Sequence, residues 1–217
     1  MRPPENVLKL LVNWVKYGNH KSLRSFFAQY HSAKLVERLN KSISTQHLLY
    51  NCVNEACNYS GVVVSQIHLE CLKILLDNGI ILNSGRSNIS WIRHGFIVPN
   101  ECALMLAAER SCLEILQSFL NYSISQENIN IAFFSACKFN LGYTYNLGSN
   151  TSYSSEVRVK CLQFLLEKGA QINFAPHRGQ TVLMFASMRN DKEIVLLLLE
   201  HGADINIVDT YFGKTAA

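Results

Sequence analysis

The chain has 217 residues, of which 48% are hydrophobic and 17% are charged, and its formal net charge is +4. This length can bury a sizeable core in one or two domains. The Lys and Arg residues are few and scattered, which argues against a nucleic-acid-binding surface. No apolar run reaches the roughly 18 residues of a membrane span, and the N-terminus lacks the layout of a signal peptide.

Helical periodicity begins near the N-terminus. Residues 7–15 and 21–27 carry apolar side chains at helical spacing, and Gly18-Asn19-His20 between them predicts a turn. Residues 32–39 have the same spacing and predict an additional helix. A longer periodic segment, residues 70–79, ends on a glycine, which is typical of a helix C-terminus. We therefore expect helices throughout this part of the chain.

The C-terminal part contains the clearest pattern. Residues 181–187 predict a short helix, and residues 193–201 predict a second helix rich in Leu. Gly202 follows at the position where a left-handed backbone is needed and a Cβ would cost energy. The same pattern starts again at Gly213. Two helices and a turn therefore form one repeating unit.

This unit resembles an ankyrin repeat, which has two helices and a β-turn in about 33 residues. Residues 181–187 (TVLMFAS) stand where that family has its T-P-L-H-x-A sequence, and residues 102–108 and 131–137 are weaker copies. The second helices 70–79, 160–169 and 193–202 match one another better. The resemblance implies an all-α ankyrin solenoid with short β-turn fingers and long insertions.

The alignment predicts a single ankyrin-repeat domain over residues 1–217. Five repeats are expected, at residues 5–30, 47–83, 100–123, 128–173 and 179–208. A sixth begins at residue 213 and is cut off, from which we expect the native chain to continue.

Two insertions interrupt the repeats between their first and second helices. The number of residues from Ala186 to Glu193 is the reference for an uninterrupted repeat. The equivalent stretch from Ala56 to Glu70 is twice as long, and the one from Ala136 to Lys160 is more than three times as long. The longer insertion is rich in Tyr, Ser, Asn and Gly, a composition that recurs in binding loops. It is either a solvated loop or a partner contact made by Tyr143, Tyr145 and Tyr153.

A long connection, residues 84–99, joins the second and third repeats. It contains Arg86, Trp91, Arg93, His94 and Phe96, and Trp and Arg are the residues most enriched at interface hot spots. Either these side chains contact a partner, or the aromatic ones cover the end of a helix.

The resemblance also implies a concave binding face formed by the first helices and the fingers. The matching positions that we assign to partner binding are Glu109, Arg110, His177, Arg178 and Arg189.

No pattern favours catalysis. The seven Cys cannot all pair within one chain, and most lie on predicted buried helix faces, which indicates free thiols in a reducing compartment. His68 and Cys71 share a helix face, but a zinc site needs more ligands, so Cys71 is interpreted as a core residue. Phosphate-binding, dinucleotide and metalloprotease motifs are missing. We therefore expect no catalytic residue, no metal and no cofactor.

The expected function is protein–protein interaction. The chain is predicted to bind a partner protein or peptide through the concave face and the insertions, as a monomeric scaffold in the cytoplasm. Its irregular repeats resemble those of ankyrin proteins of intracellular bacteria, which act as effectors in the host cytosol. The alternative is a targeting domain of a longer enzyme or effector whose catalytic part lies beyond residue 217. Direct nucleic-acid binding ranks last.

Overall fold

The structure is a computed structural model that describes residues 6–30, 32–40, 43–57, 64–80, 90–93, 96–99, 103–122, 124–138, 155–176, 179–210 and 213–216. The helices in these ranges are α1 (Val7–Lys16), α2 (His20–Tyr30), α3 (Ala33–Asn40), α4 (Ile43–Ala56), α5 (Gln66–Asp77), α6 (Ala103–Glu109), α7 (Leu113–Leu120), α8 (Gln126–Lys138), α9 (Ser155–Glu167), α10 (Val182–Met188) and α11 (Lys192–Glu200). An antiparallel hairpin is formed by β1 (Ser90–Arg93) and β2 (Phe96–Pro99).

Ten of these helices form five pairs, which we call units 1 to 5: α1–α2, α4–α5, α6–α7, α8–α9 and α10–α11. The first helices of successive units contact one another in a row from α1 to α10, and the second helices form a parallel row from α2 to α11. The structure is thus a two-layer stack of helix pairs, which confirms the predicted all-α solenoid. The hairpin lies between units 2 and 3 and adds a small sheet to it.

One continuous apolar core runs through the stack, from Val7 in α1 to Leu198 in α11. Leu165 in α9 and Leu197 in α11 are both buried. The apolar run 194–199 is not buried along its whole length, because Leu196 and Leu199 are exposed. A helix with 3.6 residues per turn cannot turn six consecutive side chains to one side.

The additional helix predicted at residues 32–39 is α3, which packs against α4. Leu35 and Leu39 are its buried residues. The Asn40 side chain at its end donates a hydrogen bond of 2.9 Å to the Gly79 carbonyl, just after α5. This helix therefore ties the connection between units 1 and 2 to the end of unit 2. None of the helices in the described ranges has the length and apolarity to cross a membrane.

Candidate interaction surface at the ends of the first helices

The first helices of units 1, 3 and 5 end in the same tight turn. Its central residue has a positive φ: 64° at Gly18, 51° at Ser111 and 54° at Asn190. The next amide then donates to a carbonyl five residues back, as in Asn19 to Trp14 (2.7 Å), Cys112 to Ala107 (2.9 Å) and Asp191 to Ala186 (3.0 Å). This is the Schellman arrangement, which satisfies carbonyls that the helix itself leaves open. The three turns lie at one edge of the stack.

Units 2 and 4 lack this short turn, because the insertions follow their first helices. In unit 2, the Ser65 amide, which follows the insertion, donates a hydrogen bond of 2.9 Å to the Ala56 carbonyl. The second helices of both units also start early, so that α5 and α9 each gain about one N-terminal turn relative to α7 and α11. The carbonyls of Cys57 and Cys137, at equivalent positions after Ala56 and Ala136, are therefore not used in a Schellman turn.

An arginine from the next unit caps each of these carbonyls. Arg110, which follows α6, donates from Nη1 to the carbonyls of Cys57 (2.7 Å) and Asn54 (3.0 Å). Its Nη2 donates to the Asn54 side-chain oxygen at 2.7 Å. Arg110 was predicted to contact a partner, and the structure shows that its guanidinium is bonded across the junction of units 2 and 3.

Arg189 occupies the equivalent position after α10. Its Nη1 donates to the Cys137 carbonyl at 3.2 Å. At the position of Asn54 this junction has Phe134, which is buried against Phe185 and offers no side-chain acceptor. Arg189, also predicted to contact a partner, therefore makes a weaker connection across units 4 and 5 than Arg110 makes across units 2 and 3.

Six residues just before the turns form one surface, which we call the turn edge: Lys16, Tyr17, Glu109, Arg110, Met188 and Arg189. Two of them are large apolar side chains that lie largely in solvent, Tyr17 at 76% exposure and Met188 at 73%. Glu109 is half-buried. The turn edge therefore combines aromatic, Met and Arg side chains, which are the types enriched at protein interfaces.

The long connection, residues 84–99, contains the β1–β2 hairpin, which is a second candidate surface. Trp91 pairs with Val98 and Arg93 pairs with Phe96 in the antiparallel hairpin. A β finger was predicted between repeats, and this hairpin forms one. Of the other residues assigned to partner binding, Arg86, His94, Tyr143, Tyr145, Tyr153, His177 and Arg178 lie outside the described residues.

The cysteines outside Cys102 are free and buried, and no group of three or more metal-ligating side chains occurs within the part of the chain that the structure describes. Cys71 is fully buried in α5, as its core interpretation predicted. Cys57 and Cys112 share a thiol hydrogen bond, which raises the pKa of Cys57 and lowers that of Cys112. Burial raises the pKa of Cys137 to about 12.

Residues 151–209 match the family model for ankyrin repeats, in three copies. This part of the chain belongs to the ankyrin-repeat family. The matched range includes α9 and both helices of unit 5, and the helix pairs before it stack in the same two rows. Ankyrin repeats generally mediate protein–protein interactions, and stacked repeats provide extended surfaces for them.

Sequence reasoning missed the buried ion pair between Arg158 and Asp191, whose closest atoms, Nη2 and Oδ2, are 2.7 Å apart. Arg158 lies in the early part of α9, and Asp191 is the residue just before α11. The available signal was the position of Arg158 between Val157 and Val159, shortly after the longer insertion. The recurrence of an Arg three residues after Ala107 and Ala186 was instead the available signal for the shared capping role of Arg110 and Arg189.

Proposed function

We propose that this ankyrin-repeat protein is a non-catalytic module that binds a partner protein or peptide through the turn edge and the hairpin. It acts in this proposal as a monomer in the cytoplasm. The observation that carries the proposal is the exposure of Met188 and Tyr17 on the turn edge. Aromatic and Met side chains are enriched at protein interfaces, so their presence at two of the three turns favours a contact surface there.

The residue type at position 188 differs from that at the equivalent positions of units 1 and 3. Met188 stands at the position occupied by Lys16 in unit 1 and Glu109 in unit 3. A charged side chain is the ordinary choice there, since the position faces solvent. Met is flexible and polarisable and adapts to an irregular partner surface. We infer that unit 5 provides the apolar centre of the contact and that Arg189 provides its polar rim.

The test compares two lysine substitutions. Met188→Lys places a charge on the turn edge, whereas Leu196→Lys places one on α11 at a site of comparable exposure, 60%. Proteins retained by the immobilised wild-type chain from a lysate of its source cells should be retained by Leu196→Lys and lost by at least tenfold from Met188→Lys, about 1.4 kcal/mol of binding free energy. Equal retention by both variants, with unchanged circular dichroism melting, would remove the turn edge from the proposal.

A second experiment concerns the hairpin. If Trp91 anchors a partner, Trp91→Ala should leave the melting temperature nearly unchanged and weaken binding by about 2 kcal/mol or more. If Trp91 covers the core instead, the same substitution should destabilise the fold through lost burial and leave affinity per folded molecule normal. The second result would restrict the contact surface to the turn edge.

A further inference from the structure

The junction between units 4 and 5 contains a small cluster of charged residues beneath the turn edge. Arg158 and Asp191 form an ion pair of 2.7 Å, and their side chains are only 9% and 10% exposed. Arg189 lies at the same junction, bonded to the Cys137 carbonyl. Three charged side chains are thus gathered at the end of the first helix of unit 4.

The charges of this cluster do not balance. Burial lowers the pKa of Arg189, and the neighbouring Arg158 cation lowers it further. The nearby Cys137 cannot supply a negative charge, because burial raises its pKa to about 12 and keeps the thiol neutral. Among the described residues of this cluster, two guanidinium groups therefore share one carboxylate, that of Asp191. A buried excess charge is costly unless it is paired.

The hydrogen-bond donors of the cluster are also incomplete. Arg158 Nε and Nη1 are buried and have no hydrogen-bond partner. Within the described residues Arg189 makes one hydrogen bond, to the Cys137 carbonyl, and it is half-buried. At the junction of units 2 and 3, by contrast, Asn54 and Cys57 supply three acceptor contacts to Arg110.

We propose that the junction of units 4 and 5 is a binding site for an oxyanion, a carboxylate or phosphate group carried by the partner. Arg189 donates to it at the surface, and the buried Arg158 contributes positive charge from behind. Guanidinium groups suit this role because their planar donors match carboxylate and phosphate oxygens. The inference rests on the proposed function, since it specifies the chemistry of the group that reaches the turn edge beside Met188.

The site is tested with inorganic phosphate and acetate as separate probes, at ionic strength held constant with chloride. Thermal unfolding of the full chain is followed as each probe is added. The wild type should show a saturable rise in melting temperature with at least one probe, and the preferred probe identifies the source of the oxyanion. Arg189→Gln should bind that probe about tenfold or more weakly. The matched variant Arg110→Gln should bind it within about twofold of the wild type.

A third variant guards against loss of structure. Asp191→Asn removes the carboxylate that Arg158 and Arg189 share and should bind the same probe more tightly than the wild type, an effect that general destabilisation cannot produce. Absence of a saturable response to either probe, or an equal response in wild type and Arg189→Gln, would overturn the proposal. If Met188→Lys loses the partner but Arg189→Gln retains it, the result supports the turn edge as the contact surface and contradicts the oxyanion site.

Discussion

An arginine caps an open carbonyl at two junctions, between units 2 and 3 and between units 4 and 5, but the residues around it differ. In both, an insertion leaves a carbonyl after the first helix open, and an arginine of the next unit caps it. At the first junction Asn54 completes the bonding of Arg110, and the residue after the turn is Cys112. At the second, Phe134 and Asp191 hold those positions, and Arg158 adds a buried charge. The comparison teaches that two neighbouring residues determine whether a capping arginine has its hydrogen-bond donors occupied within the fold or keeps donors for a ligand.

The largest expected effect is the loss of Asp191. Asp191→Ala leaves Arg158 buried and unpaired and should lower the free energy of unfolding by about 3–5 kcal/mol. Cys112→Ala, the same position at the other junction, should cost only about 1 kcal/mol, because no charge is left unpaired. Urea unfolding of both variants measures the difference. Equal losses would show that the two junctions have the same energetics.

Replacing both residues of the ion pair distinguishes the effect of an unpaired charge from the effect of lost packing. The double variant Arg158→Met and Asp191→Leu replaces the ion pair by apolar groups and should be about as stable as the wild type or more stable. A loss as large as that of Asp191→Ala would mean that the position, rather than the orphaned charge, determines the effect.

The two capping arginines should differ in cost. Arg110→Ala removes three charge-assisted hydrogen bonds and should destabilise the fold by about 2–3 kcal/mol, whereas Arg189→Ala removes one and should cost about 1 kcal/mol. Chemical denaturation at matched ionic strength measures both. The reverse order would contradict the assignment of Arg110 as the structurally saturated residue.

The tight turns offer a smaller, opposite effect. Ser111 has a positive φ and a buried hydroxyl without a hydrogen-bond partner. Ser111→Gly relieves both and should stabilise the fold by about 1 kcal/mol. Asn190→Gly should change stability by less than about 0.5 kcal/mol, because Asn tolerates this backbone conformation and the residue is exposed. A destabilised Ser111→Gly would show that the serine is held by bonds that the glycine loses.

The smallest effect concerns Tyr122, whose hydroxyl donates to Asp77 and so bridges units 3 and 2. Burial and the Asp77 carboxylate raise the pKa of Tyr122 to about 12. A pKa above the unfolded value of about 10 means that this stabilisation is complete below pH 10 and is lost between about pH 10 and 12. Tyr122→Phe should cost about 0.5 kcal/mol at pH 7 and remove that alkaline loss. Unfolding of both proteins between pH 7 and 11.5 tests this.

Much of the scaffold could be predicted from the sequence, because local rules determine it. Gly202 has a φ of 82° at the end of α11, as its position required, and Thr181 caps α10 by accepting from the Met184 amide at 3.3 Å. The helical spacing of residues 32–39 was enough to predict α3. Each of these features depends on residues within one or two turns of the chain.

The candidate site was less predictable, because its contacts join residues far apart in sequence. Arg110 and Arg189 were predicted to contact a partner, since nothing near them in sequence shows that Cys57 and Cys137 carry open carbonyls some 50 residues earlier. Met188 was not assigned to binding, although its Glu109 counterpart was. The proposed contacts of Tyr143, Tyr145, Tyr153, His177 and Arg178 remain predictions.

The alternation of short and inserted units has a consequence for how the chain unfolds. A unit whose open carbonyl is capped by an arginine of its successor loses that hydrogen bond when the successor opens, so Arg110 and Arg189 add a side-chain link at these two junctions to the helix packing present at every junction. Hydrogen exchange should then reveal openings that involve two units at a time, with Cys57 and Arg110 protected together and Cys137 and Arg189 protected together.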